Sequence, residues 1–145
     1  MEIQFKKVHT SKDIIISCIT MIAGIGLYFL SKSAGITVAL CGIAMLYFYK
    51  SGYKKDGDTI LLQKKTVELS TQCRANVLDF LNGKTDNPVL ISGNVGGTIL
   101  LEVWYNLQKP IAYARLSDYK DATFQPTTDI IQLQENKINS LIKQL

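Results

Sequence analysis

The chain has 145 residues, 47% of them hydrophobic and 19% charged, with a net charge of +4. That length holds one domain, or a small domain with an appendage. The three cysteines, Cys18, Cys41 and Cys73, have no metal-type spacing and do not suggest a disulfide framework, so they read as small buried hydrophobes.

The charge is uneven. Residues 1–50 hold five lysines against Glu2 and Asp13, whereas residues 51–145 hold eleven Lys/Arg against ten acids. A nucleic-acid binder concentrates its basic excess on the folded part, because phosphate neutralisation supplies most of its affinity. Nucleic acid is therefore not an expected partner.

Residues 1–13 read as a polar tail. Two apolar runs follow: IIISCITMIAGIGLYFL, residues 14–30, and AGITVALCGIAMLYFY, residues 34–49, separated by little more than Ser31-Lys32-Ser33. As helices each reaches about 25 Å, close to the length that crosses a hydrocarbon core. Tyr28 and Phe29 close the first run, and Tyr47, Phe48, Tyr49 and Lys50 close the second, as aromatic and cationic anchors of a membrane interface would. The short connection predicts an antiparallel transmembrane hairpin over residues 14–49, with small residues at Thr20, Gly24, Gly35, Ala39 and Gly42 for close packing. Six lysines flank the outer ends and only Lys32 lies between the runs, so both termini are expected in the cytoplasm and the protein in an inner (plasma) membrane. A cleaved signal peptide fits less well. A cut after Ala34 would put Lys32 where a small residue is wanted, and would leave the second run unexplained.

Residues 50–58, KSGYKKDGD, read as a juxtamembrane linker with an Asp-Gly turn; the glutamate that ends a calcium-binding EF-hand loop is missing. The remainder, residues 59–145, is expected to fold as a cytoplasmic domain. Alternation over 59–69 predicts a strand, with a helix as the alternative. Cys73, Val77, Phe80 and Leu81 are spaced for a helix over 70–82, capped by Ser70 or Thr71 and stopped at Gly83. After Asn87-Pro88 the chain is expected to be extended through Ile91, and 98–106, TILLEVWYN, alternates as a long two-faced strand whose antiparallel partner is 111–119. Residues 120–128 read as loop or edge strand and 130–133 as a short strand. Ile138, Leu141, Ile142 and Leu145 predict a terminal amphipathic helix. The fold class is α+β: a transmembrane hairpin, then a small antiparallel sheet with one internal and one C-terminal helix.

Chemistry is harder to find. The single histidine, His9, lies in the tail, so residues 50–145 cannot build a Ser-His-Asp or Cys-His arrangement, and Cys73 alone cannot hold zinc. The carboxylates Asp79, Glu102, Asp118, Asp121 and Asp129 show no spacing that singles out an acid-base pair. The glycine-rich SGNVGGT, residues 92–98, lacks the lysine of a P-loop, and a strand rather than a helix follows it; GxGxxG spacing fails too. It reads as a turn between strands. No catalytic, cofactor-binding or metal-binding residue is assigned, and no enzymatic activity is expected.

One surface remains. Leu100 and Trp104 share a strand face, to which Ala112, Ala114 and Leu116 of the partner strand are expected to add, forming an apolar partner-binding patch if no helix covers it. The expected partners are the lipid bilayer and a protein, either another chain or a second copy of this one. The alternative is a domain that binds or acts on a lipid headgroup or small ligand.

Overall fold

A computed structural model describes residues 3–93 and 98–145. It is a mixed α+β structure with two compact units, one of Phe5–Lys54 and the other of Lys55–Leu145 with residues 3–4.

The first unit is built on two helices, α1 (Ser11–Tyr28) and α2 (Lys32–Phe48). Thr10 and Asp13 start α1 as a reciprocal capping box: the Asp13 amide donates to Thr10 Oγ1 at 3.2 Å, and the Thr10 amide donates to Asp13 Oδ2 at 2.8 Å. Asp13 is buried and also accepts from the Ser51 amide at 2.9 Å and from Ser51 Oγ at 2.6 Å, which ties the start of α1 to the chain just after α2. Beside it, strands β1 (Phe5–Val8) and β2 (Gly52–Lys55) pair as a two-stranded sheet. This changes the reading of residues 1–13 as tail and 50–58 as linker, because both carry paired strand. Their partnership spans more than 40 residues, so no local pattern announces it.

The helices meet along a seam of missing side chains. A Cβ on Gly24 would lie 2.4 Å from the Ala39 nitrogen, one on Gly35 2.4 Å from the Tyr28 backbone, and one on Gly42 2.6 Å from Met21 Cγ. Gly24, Gly35, Ala39 and Gly42 thus belong to the contact, whereas Thr20 turns its hydroxyl to the Ile16 carbonyl at 2.9 Å. Of the two helices, α1 is long and apolar enough to cross a membrane; α2 has 17 residues.

The second unit contains an antiparallel sheet in the order β3 (Gln63–Ser70), β4 (Thr98–Tyr105), β5 (Ala112–Lys120), β6 (Thr123–Pro126), with β7 (Ile131–Gln132) also on β5. Helix α3 (Arg74–Leu81) enters through a 3-10 turn at Thr71–Cys73, where Ser70 Oγ accepts from the Gln72 amide, and it stops at Gly83, whose φ of +83° suits glycine. Helix α4 spans Glu135–Ile142. Ile99, Leu101 and Val103 of β4 bury one sheet face together with Leu69, Ala112, Ala114, Leu116, and Val77 and Phe80 of α3 and Ile138 and Leu141 of α4. The expected helix over 70–82, the two-faced strand and the terminal helix are therefore present. The strand read over 59–69 begins later, at Gln63, and the 120–128 stretch contributes β6.

The opening of SGNVGGT has a place on the outer edge of β3. Ser92 bridges Leu69, the Gly93 amide donates to the Glu68 carbonyl at 3.2 Å, and a Cβ on Gly93 would meet Thr98 Cγ2 at 2.5 Å and the Leu69 carbonyl oxygen at 3.0 Å. Glycine is needed here for close backbone approach. The rest of the turn expected there, residues 94–97, lies outside the described residues.

Candidate functional site

The register of the central hairpin decides which side chains share a face. Tyr105 pairs with Ala112, Val103 with Ala114 and Leu101 with Leu116, so odd-numbered residues of β4 stand beside even-numbered residues of β5. Ala112, Ala114 and Leu116 consequently belong to the core face, on the opposite side of the sheet from Leu100 and Trp104. The five residues read as one patch are split between two faces, and all but Leu100 are buried. This corrects the sequence expectation. Alternation within each strand is as expected, but the parity between strands is set by the 106–111 connection.

The true neighbours of Leu100, Glu102 and Trp104 are Glu68, Thr66 and Lys64 on β3, and Ser117, Arg115 and Tyr113 on β5. Glu102 is 6% exposed at the centre of this polar face. Lys64 Nζ reaches its Oε1 at 2.5 Å, while Arg115 meets its Oε2 through Nη2 at 2.5 Å and Nε at 2.7 Å. Both cations also lie over the Trp104 ring, Lys64 Nζ at 4.9 Å and Arg115 Cζ at 5.6 Å from its centroid, within cation–π range. Burial on its own would push the Glu102 carboxyl up, but the hydrogen bonds from Lys64 and Arg115 outweigh it and hold the group below its ordinary value. A carboxylate kept ionised between two cations is a poor proton carrier. It is well suited to locking three strands in register, since a slip would strand charges beside an apolar ring.

A second polar group sits at the end of the sheet where β4 begins and β5 ends. Arg74, the first residue of α3, forks onto Asp118 with Nε at 3.1 and 3.2 Å from the two carboxylate oxygens and Nη2 at 3.0 Å. These hydrogen bonds, against a smaller opposing effect of burial, hold Asp118 below the usual carboxylate range, and the same contact raises Arg74. The pair borders a cleft of about 440 Å³ that Thr71, Thr98 and Lys120 also line.

The acids named from sequence do not converge. Glu102 and Asp118 lie on opposite faces, each in its own ion pair; Asp79 pairs with Lys84 at 3.1 Å; Asp121 occupies the turn between β5 and β6. His9 lies in the other unit, between β1 and α1. Among the described residues, no group of three or more His, Cys, Asp or Glu is placed to hold a metal ion. Sequence reasoning missed Lys64 and Arg115 as partners of Glu102, and Arg74 as partner of Asp118. Opposite charges at same-face positions of neighbouring strands were the available signal, but it becomes usable only once the register is known.

Tyr28 closes α1 with Phe29 as its cap, edge-on to the Tyr28 ring at 6.2 Å, and Tyr47 and Phe48 end α2, followed by Tyr49 and Lys50; all are exposed. Against known proteins, the chain matches no family model, no curated protein and no solved structure.

Proposed function

We propose that α1 and α2 form a transmembrane hairpin that holds the α+β unit at the cytoplasmic face of an inner membrane, where that unit serves as a non-enzymatic association module for a protein partner or a second copy of the chain. The observation that carries this reading is the hairpin's outer surface. Ile15, Ile19, Ile22, Ile25, Leu40 and Phe48 are all exposed, and only 17% of the apolar window of α1 is buried inside the structure. A core helix of a water-soluble protein would hide most of such a window. Outward isoleucines and leucines along both helices have no aqueous use, and lipid would cover them. The aromatic residues at both ends of the pair and the six flanking lysines against one in the loop support the span and its orientation. The ion pairs that occupy Glu102 and Asp118 support binding rather than turnover.

The native thiols supply the test. Cys18 and Cys41 are exposed on α1 and α2. A membrane-impermeant maleimide should leave both unlabelled in intact membranes and label them once the membrane is dissolved in denaturing detergent, and alkaline carbonate should leave the chain in the pellet. Labelling of both thiols in intact membranes, or release by carbonate, would end the transmembrane reading. Association is checked by crosslinking the membrane-held chain: monomer alone, with no captured protein, counts against it.

A further inference from the structure

We propose that the cleft between the start of α3 and the adjoining ends of β4 and β5 binds a ligand through a phosphate group. The Asp118 side chain is 14% exposed and the Arg74 side chain 42%, so the carboxylate lies beneath and the guanidinium above it, toward solvent. Asp118 takes Nε and one Nη2 donor. Of the five N–H donors of a guanidinium, roughly three are then left for another acceptor, and their plane is already fixed by the carboxylate fork. This removes much of the ordering cost that a mobile arginine would incur on binding.

Lys120 adds a second cation from the last position of β5, and Thr71 of the 3-10 turn and Thr98 at the start of β4 also line the cleft. Lys120 is held there by its pairing with Thr123 across a two-residue turn, Asp121-Ala122, in which both residues have positive φ. Two cations against one carboxylate leave the cleft net positive. A tetrahedral phosphate presents oxygens in several directions, which suits a guanidinium edge at a helix start and an ammonium at a strand end. At about 440 Å³ the cleft exceeds a bare phosphate and lies in the range typical of small-molecule sites; the exposed Tyr119 lines it too, giving an organic remainder an aromatic surface. The site is contained in the second unit, so it stands whether or not the hairpin lies in lipid.

The phosphate could belong to a soluble ester or to a phospholipid headgroup, and two probes separate these sources. The isotope-labelled full chain in zwitterionic micelles would be titrated with inorganic phosphate, with sodium chloride of matched ionic strength as control. The same chain in phosphatidylcholine nanodiscs would be compared with discs containing phosphatidic acid. Saturable shifts at the amides of Thr71, Arg74, Thr98, Asp118 and Lys120 are expected with at least one probe. Inorganic phosphate acting indicates a soluble ligand, and phosphatidic acid acting alone a headgroup. Lys120→Gln, at an exposed position, should weaken the response about tenfold while resonances elsewhere stay in place, and Arg74→Lys should weaken it although the charge is kept. Should Arg74→Lys unfold the unit, Lys120→Gln alone decides. The proposal is overturned if neither probe moves these amides, if sodium chloride reproduces the shifts, or if Lys120→Gln titrates like the parent.

Discussion

The hairpin and the α+β unit are packed by opposite means. In the α+β unit contact is made by bulk: Phe80, Leu69, Ile99, Leu101, Leu116 and Leu141 are each less than 2% exposed and fill the space between one sheet face and two helices. In the hairpin contact is made by absence, with glycines at the points where the two backbones touch. The contrast is the one that the proposed membrane setting of the hairpin would produce. Withdrawing apolar surface from water contributes about 25 cal/mol per Å², so a unit in water gains by burying its largest apolar groups. A helix pair whose outer surface is as apolar as its seam gains little from choosing which apolar group to bury, and close backbone approach becomes the useful interaction.

The largest effect that would sharpen this contrast is in the bulky core. Phe80→Ala should destabilise the α+β unit by about 3–5 kcal/mol, read from denaturant unfolding of its sheet and helix signals, while leaving the hairpin packed. A loss below about 1 kcal/mol would mean that the core is not organised around α3.

Next comes the polar face. Glu102→Gln keeps the shape but leaves Lys64 and Arg115 facing each other beside Trp104; since both cations are partly solvated, the cost should be about 2 kcal/mol. The pH dependence has a definite sign. Because folding lowers the Glu102 pKa, its contribution is fully present above the unfolded carboxylate value, about 4.3, and is lost as pH falls through the lower folded value. The parent should therefore lose stability on acidification more steeply than the Gln variant, and identical acid limbs would show that the charge contributes nothing.

In the hairpin the same substitution should act with opposite signs at two sites. A Cβ on Gly35 would strike the Tyr28 backbone, so Gly35→Ala should cost about 1–3 kcal/mol. Gly26 has nothing within 4 Å, so Gly26→Ala should help by up to about 1 kcal/mol through helix propensity. Spin labels on Cys18 and Cys41, with Cys73 replaced by alanine, would report the interhelical distance. It should lengthen and broaden for Gly35→Ala and stay put for Gly26→Ala; equal behaviour would remove the seam from the account.

The smallest effect is at the β5–β6 turn, where Ala122 holds φ at 61°. Ala122→Gly should raise the midpoint of thermal unfolding modestly, by an amount worth about 0.5–1 kcal/mol, because glycine carries no Cβ penalty in the left-handed region.

Much of this architecture could be read from residue order. The apolar runs, the Ser70 and Gly83 helix boundaries, the alternation of Thr98–Tyr105 and the periodic Ile138 and Leu141 are local patterns, and each appears in the structure as an element of the expected kind. The pairing of Phe5–Val8 with Gly52–Lys55 was not legible, because a strand of four residues with two adjacent lysines shows no alternation and resembles a tail. The candidate site was mostly illegible as well. Ala112 and Trp104 looked like neighbours until the register put them back to back, and Arg74 and Asp118 are 44 residues apart.

Taken alone, the sequence determined the periods: which segments are helical and which strands have two faces. Those follow from steric and hydrophobic preferences within a few residues of each position. Tertiary structure alone decided the parities and the meetings: that Arg115 rather than Ala114 stands beside Glu102, that β1 pairs with β2 across the two helices between them, and that Arg74 and Lys120 border one cleft. A shift of one residue in a single connection would reverse the first of these, because strand side chains alternate with a period of two and nothing within either strand records the phase of the other.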